Sequence, residues 1–227
     1  MARTGPRRRA VRRRKATPRS GGRPPVVLLG GVTTLVIVAI IVWGITSGRD
    51  PGEPAPGDAG TVSTLLEVDT SLPASVGLLP PGSLAPDFSW RTGEGTSHSL
   101  ASLRGKRVVL LEFLATWCPH CQNQAPIITS LYQQYRQRGL EAFGVSASPL
   151  GMDGRSPSSP EDLARFAQRF GAGFPLIYDP SSAAGRHYGV RVFPATLLID
   201  REGIVRFSHG GEVAEAELAA VIEPALR

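Results

Sequence analysis

Polar and apolar positions change rhythm along this chain, and each rhythm predicts a different kind of structure. Residues 26–45, "VVLLGGVTTLVIVAIIVWGI", form an uncharged run of twenty residues. At 1.5 Å rise such a run makes a helix about 30 Å long, the hydrocarbon thickness of a bilayer, so 26–46 is expected to be a single transmembrane helix. Next, "GRDPGEPAPGDAG", 48–60, holds four Gly and three Pro in thirteen positions. That composition builds no core and predicts a linker, drawn over 47–82. Inside it "TVSTLLEV", 61–68, is compatible with a short strand, and "LLPPG" stops whatever precedes it.

From Ser83 to Arg227 strands and helices alternate. "FSWRTGEGTSHSL", 88–100, alternates around the turn signal "TGEG" and predicts an N-terminal β-hairpin. "RVVLLEFLA", 107–115, is almost continuously apolar, as a strand covered on both faces requires. A helix should start at the cysteines and run through "QNQAPIITSLYQQYRQRG" to Gly139. "LEAFGVSAS" is a further strand. "SPEDLARFAQRFG" has Ser159 as N-cap, Pro160 at the first helical position, and Leu163, Phe166, Ala167 and Phe170 on one face. "FPLIYD" predicts a short strand, "SSAAGRHYG" a short helix, and "ATLLID" with "IVRFSH" a hairpin across "REG". The last helix, "EVAEAELAAVIEPAL", places Ala214, Leu218, Val221, Ile222 and Ala225 on one side. The expected class is α/β: a central mixed sheet flanked by helices, over 83–227. No repeat and no Gly-rich phosphate loop is present, and the loop "SPLGMDGRSPSSP", 148–160, carries no motif.

Charge changes the picture at the front of the chain. Residues 1–25 carry ten of the 25 Lys and Arg and no acid, leaving fifteen basic against nineteen acidic side chains in the rest. The net charge of +6 thus belongs to a basic tail on a mildly acidic body, and nucleic acid is not an expected partner. Basic flanks stay on the cytoplasmic side. The tail 1–25 should therefore be cytoplasmic, the span should sit in the cell membrane, and the body should be extracytoplasmic. Trp43 suits the outer interface. A cleaved signal peptide would need a shorter apolar core and an A-x-A-like site, and "WGITSGRDPG" offers none.

The chain has two cysteines, Cys118 and Cys121, in "FLATWCPHC". Zinc or copper needs more ligands than this pair and the scattered His98, His120, His187 and His209 provide in any second chelating pair. A disulfide across two intervening residues closes almost no loop, so a purely structural staple would stabilise little. A redox-active dithiol is the remaining reading: a pair after a buried strand, at a helix start. There Cys118 meets unpaired N–H groups and the positive end of the helix dipole, which favour its thiolate. Cys118 then attacks a substrate disulfide, and Cys121, one turn on, resolves the mixed disulfide; reduction and donation are one reaction run in two directions.

"FLATWCPHC" resembles the active site of the thioredoxin superfamily, in its membrane-anchored TlpA/ResA-like branch. "APDF" (85–88), Pro126 five residues after Cys121, "GVRVFPATLLID" and "LLIDREG" resemble other stretches of that family at matching distances. The resemblance covers 83–227. It implies a thioredoxin fold, no cofactor, exported proteins with cysteines as substrates, and a membrane redox partner. It makes Pro194 the cis-proline facing the dithiol, with the Phe193 backbone free to pair with a substrate strand. It makes Glu112 a buried acid that shuttles the proton of Cys121, and Trp117 a lid on the dithiol. His187 and His209 are expected to be ordinary surface or loop histidines.

Two departures bear on direction. Where many ResA-like proteins carry Glu, three residues after the second cysteine, this chain has Gln124. The Pro-His dipeptide is that of the disulfide donor DsbA, and His120 is expected to stabilise the Cys118 thiolate, making the site more oxidising, toward about −120 mV rather than about −270 mV. Reduction is the preferred direction, with disulfide donation and a metal-binding or delivery module as alternatives. A thiol peroxidase fits less well: Leu111 and Ala115 stand where its P-x-x-x-T-x-x-C pattern needs Pro and Thr.

Overall fold

A computed structural model describes residues 60–227. The basic tail, the expected span at 26–46 and the Gly/Pro-rich stretch before Gly60 lie outside the described residues. Among the described residues no helix is long and apolar enough to cross a membrane.

The elements are β1 (Val62–Val68), β2 (Phe88–Arg91), β3 (Ser97–Ser99), β4 (Val108–Leu114), α1 (Pro119–Tyr135), β5 (Leu140–Ser146), α2 (Pro160–Phe170), β6 (Leu176–Tyr178), α3 (Ala183–His187), β7 (Ala195–Ile199), β8 (Val205–Gly210) and α4 (Glu215–Ala225). They build one mixed sheet in the order β3-β2-β1-β6-β5-β4-β7-β8. Strands β1, β6, β5 and β4 run parallel, while β7–β8 and β2–β3 add antiparallel hairpins at the two edges. This is the thioredoxin-like α/β fold.

The folded body starts earlier than the polarity pattern predicts. β1 lies inside 47–82, the stretch assigned to linker, yet it pairs with β2 (Val68↔Phe88) and with β6 (Val62↔Leu176). Its period-two signal is weak because only Ser63 and Val68 are buried and a bulge falls between Leu65 and Glu67. The residues after it are also tied down: Asp69 N–H donates to Asp87 O, Leu79 N–H to Tyr188 O and Gly82 N–H to Val205 O.

All seven residues of β4 are buried, because the strand alternates between two covered faces. Val108, Leu110 and Leu114 pack with Cys118, Cys121, Ile128 and Leu131 of α1, Leu163 of α2 and Leu218 of α4. Val109, Leu111 and Phe113 pack on the opposite side with Phe88, Trp90 and Tyr188. Each such aliphatic contributes roughly 1.5–3 kcal/mol on burial. By this alternation Glu112 belongs to the α1 side. α1 passes through a single 3-10 turn and ends at Gly139, whose φ of 104° only glycine adopts at low cost. In α4 the buried stripe is narrower than predicted. Leu218 and Ile222 are buried, Val221 and Ala225 half-buried, and Ala214 is exposed because it is the extended N-cap residue.

Candidate active site

After β4 the chain turns through Ala115–Trp117, and the Cys118 N–H donates to Ala115 O at 3.0 Å. Cys118 is the N-cap of α1, with extended backbone (φ −81°, ψ 119°) and Pro119 directly inside the helix. Its side chain makes no capping hydrogen bond. Both cysteines are unbonded and nearly inaccessible, at 5% and 2% exposure. The Cys118 thiol sits 3.6 Å from the carbonyl oxygen of Phe193. The peptide between Phe193 and Pro194 is cis, so β7 enters the sheet directly from a loop that touches the first sulfur.

Under the pair lies Glu112, 2% exposed. Register places it opposite Thr196 of β7, whose hydroxyl donates to Glu112 Oε2 at 2.6 Å. Burial raises the Glu112 pKa to about 8, with the Thr196 hydrogen bond acting the other way. Burial also pushes the Cys121 thiol well above its ordinary value; a backbone hydrogen bond at Ala115 opposes that, and the charges of Cys118 and Glu112 add to it. Cys121 therefore needs a base to ionise, and Glu112 is the carboxyl electrostatically linked to it.

Trp117 is 37% exposed and meets the Phe193 ring edge-on, centroids 6.4 Å apart. Its indole N–H donates to Ser148 Oγ at 3.0 Å. Val192, 54% exposed, and Leu150, 37% exposed, are the other large apolar side chains open to solvent in the 148–160 and 190–193 loops. Ser148 itself is buried.

His120 is placed differently from expectation. Its Nδ1 meets Glu212 Oε1 at 2.5 Å, at the protein surface, while the Cys118 sulfur meets Phe193. His187 closes α3, and His209 is exposed and stacks on Phe207. The structure thus assembles Cys118, Cys121, Glu112, Phe193, Pro194 and Trp117 around one end of the sheet. It adds Thr196, Ser148 and Glu212, none of which the sequence marks. Thr196 was accessible in principle, as the residue that antiparallel pairing sets opposite Glu112; Ser148 and Glu212 have no local signal. Among the described residues no group of three or more His, Cys, Asp or Glu could hold a metal ion.

The AhpC/TSA family pattern matches residues 81–208, more than half of the chain. The chain belongs to the AhpC/TSA family. It is 33% identical to the thiol-disulfide oxidoreductase ResA of Geobacillus thermodenitrificans over 142 residues, covering 63% of this chain and 76% of ResA. It is 36% identical to the protein DipZ of Mycobacterium tuberculosis over 133 residues, covering 56% of this chain and 18% of DipZ. Among solved structures, a DsbE-type thiol:disulfide interchange protein of Chlorobium tepidum superposes with a TM-score of 0.57 at 28% identity, over 66% of this chain and 99% of that one. Kinship with ResA, joined to the buried Cys-x-x-Cys pair, makes this chain a protein thiol–disulfide oxidoreductase. Leu111 and Ala115, the positions at which the peroxidase pattern fails, are both fully buried.

Proposed function

We propose that this member of the family reduces disulfides in exported proteins. The segment 26–46 tethers it to the cell membrane, the tail 1–25 stays in the cytoplasm, and the described body works outside. The apolar run, the basic flank and the kinship with ResA support this reading. The observation that carries the chemistry is the Glu112 carboxyl, buried on the face of β4 that packs against the dithiol helix and hydrogen-bonded there by the Thr196 hydroxyl, with burial raising its pKa.

The geometry supports the following steps. The Cys118 thiolate, at the open end of α1, attacks one sulfur of a substrate disulfide; an S–S bond forms to Cys118 and the other substrate sulfur leaves as thiolate, taking a proton from solvent. Glu112 accepts the proton of Cys121, whose ionisation burial opposes. The Cys121 thiolate attacks Cys118 Sγ and expels the second substrate sulfur, which is protonated in turn. The substrate gains two electrons and two protons, and the enzyme is left as the Cys118–Cys121 disulfide. A membrane redox partner must return two electrons. The Phe193 carbonyl meets the first sulfur and the Trp117 ring meets Phe193, and the backbone at Phe193, just before β7, is the edge to which a substrate strand adds.

Disulfide donation is the second reading, favoured by the Pro119-His120 dipeptide. A Cys121→Ser variant of the full-length protein tests both. It should hold exported proteins in mixed disulfides through Cys118, and in a strain lacking the enzyme those proteins should accumulate oxidised. Accumulation in reduced form would establish donation instead. Recovery of no disulfide-linked partner, together with failure of the wild type to reduce insulin, would overturn the enzymatic reading.

A further inference from the structure

Glu212 lies in the short connection between β8 and α4, and that connection is held to the dithiol site from three sides. The Gly211 N–H donates to Pro194 O at 2.7 Å, which ties it to the cis-proline loop. Gly211 has a φ of 109°, a left-handed geometry that favours glycine. The Val213 N–H donates to Gln124 Oε1 at 2.8 Å, and Gln124 Nε2–H donates back to Val213 O at 3.1 Å. Gln124 is wholly buried, so this two-way clamp from α1 is a built feature. Between the two anchors the Glu212 carboxylate reaches the first turn of α1. One oxygen, Oε1, accepts from both His120 Nδ1–H and Asn123 Nδ2–H, the latter at 3.2 Å.

An ion pair this exposed does little for stability in water. Its position gives it a different consequence. α1 carries no acid of its own in its first turn, so among the described residues the only carboxylate shown at the His120 ring is that of Glu212, from a distant segment. That ring is the one imidazole between the two cysteines.

We propose that Glu212 is a positioning residue for the redox site: it holds the His120 ring by its Nδ1–H and balances its charge, so that His120 does not stabilise the Cys118 thiolate and the Cys-Pro-His-Cys pair stays reducing. Gln124, through Val213, fixes Glu212 in register. This deepens the reductive reading above by naming what sets the direction. It explains how a dipeptide that favours donation elsewhere sits in a ResA-like frame: the neighbouring segment, not the dipeptide, decides how much charge the first sulfur meets.

The test is the dithiol–disulfide equilibrium of the full-length protein against glutathione, in wild type, Glu212→Gln, His120→Ala and the double variant. Glu212→Gln frees the ring and removes the carboxylate charge. It should shift the equilibrium toward the dithiol by about tenfold, equivalent to about 30 mV more oxidising. It should also speed alkylation of Cys118 by iodoacetamide at mildly acidic pH. In the His120→Ala background the same change should shift the equilibrium by less than about twofold, because the effect passes through the ring. An unchanged equilibrium in Glu212→Gln, or an equal shift with and without His120, would overturn the proposal. A wild type that proves strongly oxidising would instead overturn the reductive reading, whatever Glu212→Gln does.

Discussion

Helices α1 and α2 start alike and are finished differently. Each begins with an extended N-cap residue, Cys118 or Ser159, followed by Pro at the first helical position. At α2 the end is closed. Ser159 Oγ accepts from the Asp162 N–H at 3.2 Å, Asp162 Oδ2 accepts from the Ser159 N–H at 3.1 Å, and Glu161 and Asp162 supply acid to the first turn. At α1 the end is open, with no capping bond from the side chain and no acid in the first turn. A capping box satisfies donors that otherwise cost stability. Leaving them unsatisfied at α1 keeps them available to a sulfur anion. The same local signal thus serves stability in one helix and chemistry in the other; besides the acids of the first turn, the difference lies in the N-cap atom, since a hydroxyl oxygen accepts hydrogen bonds from helix-end amides readily and a thiol poorly.

Exchanging that atom has the largest expected effect. Cys118→Ser should abolish disulfide exchange, read as loss of insulin reduction. The same substitution should not destabilise the protein, and thermal unfolding should show a gain of up to about 1 kcal/mol as the new hydroxyl caps α1. A variant destabilised by more than that amount would mean that α1 depends on the sulfur for packing and not for chemistry.

Glu112→Gln comes next, and it tests the open end from below. The Glu112 pKa is raised from 4.5 to about 8 by burial. The folded state therefore holds a proton that the unfolded chain gives up near pH 4.5, and stability falls as pH rises from there to about 8. Wild type should lose up to about 5 kcal/mol through this group across that window, and Gln should not. The difference in stability between variant and wild type, measured by denaturant titration at several pH values, should grow with pH and level off above 8. Resolution of mixed disulfides by Cys121 should slow by on the order of 10²-fold in the variant and lose its rise with pH. A pH-independent stability difference would mean that burial does not raise the Glu112 pKa and that the carboxylate is too weak a base to take the Cys121 proton.

Ser159→Ala opens the closed end. It should cost about 1 kcal/mol in thermal or denaturant unfolding and leave the rate of insulin reduction unchanged. A fall in rate comparable to that of Glu112→Gln would show that the two helix ends are not separable in this way.

How much of this was legible without coordinates differs between the two ends. α2 could be read whole, because Ser159, Pro160, Asp162 and the stripe Leu163–Phe166–Ala167–Phe170 are local and agree with one another. The α1 end could be read only in part. Cys118, Cys121 and Pro119 are adjacent in sequence. Glu112 stands out as an acid in an apolar strand, and its side of the sheet follows from period two. Thr196 needs strand pairing, and Glu212 needs the β8–α4 connection to be laid over α1, a contact across 92 residues. β1 was half-legible for the opposite reason: its pairing is real, but a bulge and an exposed Leu66 erase the alternation that would announce it. Local chemistry announces itself; chemistry assembled from distant segments does not.

The loop 148–160, which carries no sequence motif, joins the two helix ends. It finishes in the Ser159 cap and begins at Ser148, whose buried hydroxyl accepts from the Trp117 indole N–H, one residue before Cys118. Gly154 also packs beside Trp117, where an added Cβ would come within 3.7 Å of the indole's own Cβ. Between its ends the loop is closed by the Leu150–Pro157 bridge and by Asp153, which accepts from the N–H groups of Arg155 and Ser156. So the segment that seals α2 also fixes the Trp117 side chain, next to Cys118 in the chain and edge-on to Phe193. Ser148→Ala isolates that second role and should give the smallest effect. Trp117 is partly exposed, so water replaces the lost acceptor, and the stability cost should be about 0.5–1 kcal/mol, at the low end for a hydrogen bond. The indole should gain freedom, read as a red-shifted, less anisotropic Trp117 emission in a variant with Trp43 and Trp90 replaced by Phe. Insulin reduction should change in KM more than in kcat, because Trp117 borders Phe193, where we propose that a substrate strand adds, and touches neither proton nor electron transfer. A drop in kcat with KM unchanged would move Ser148 and Trp117 from the docking surface into the chemistry of the open helix end.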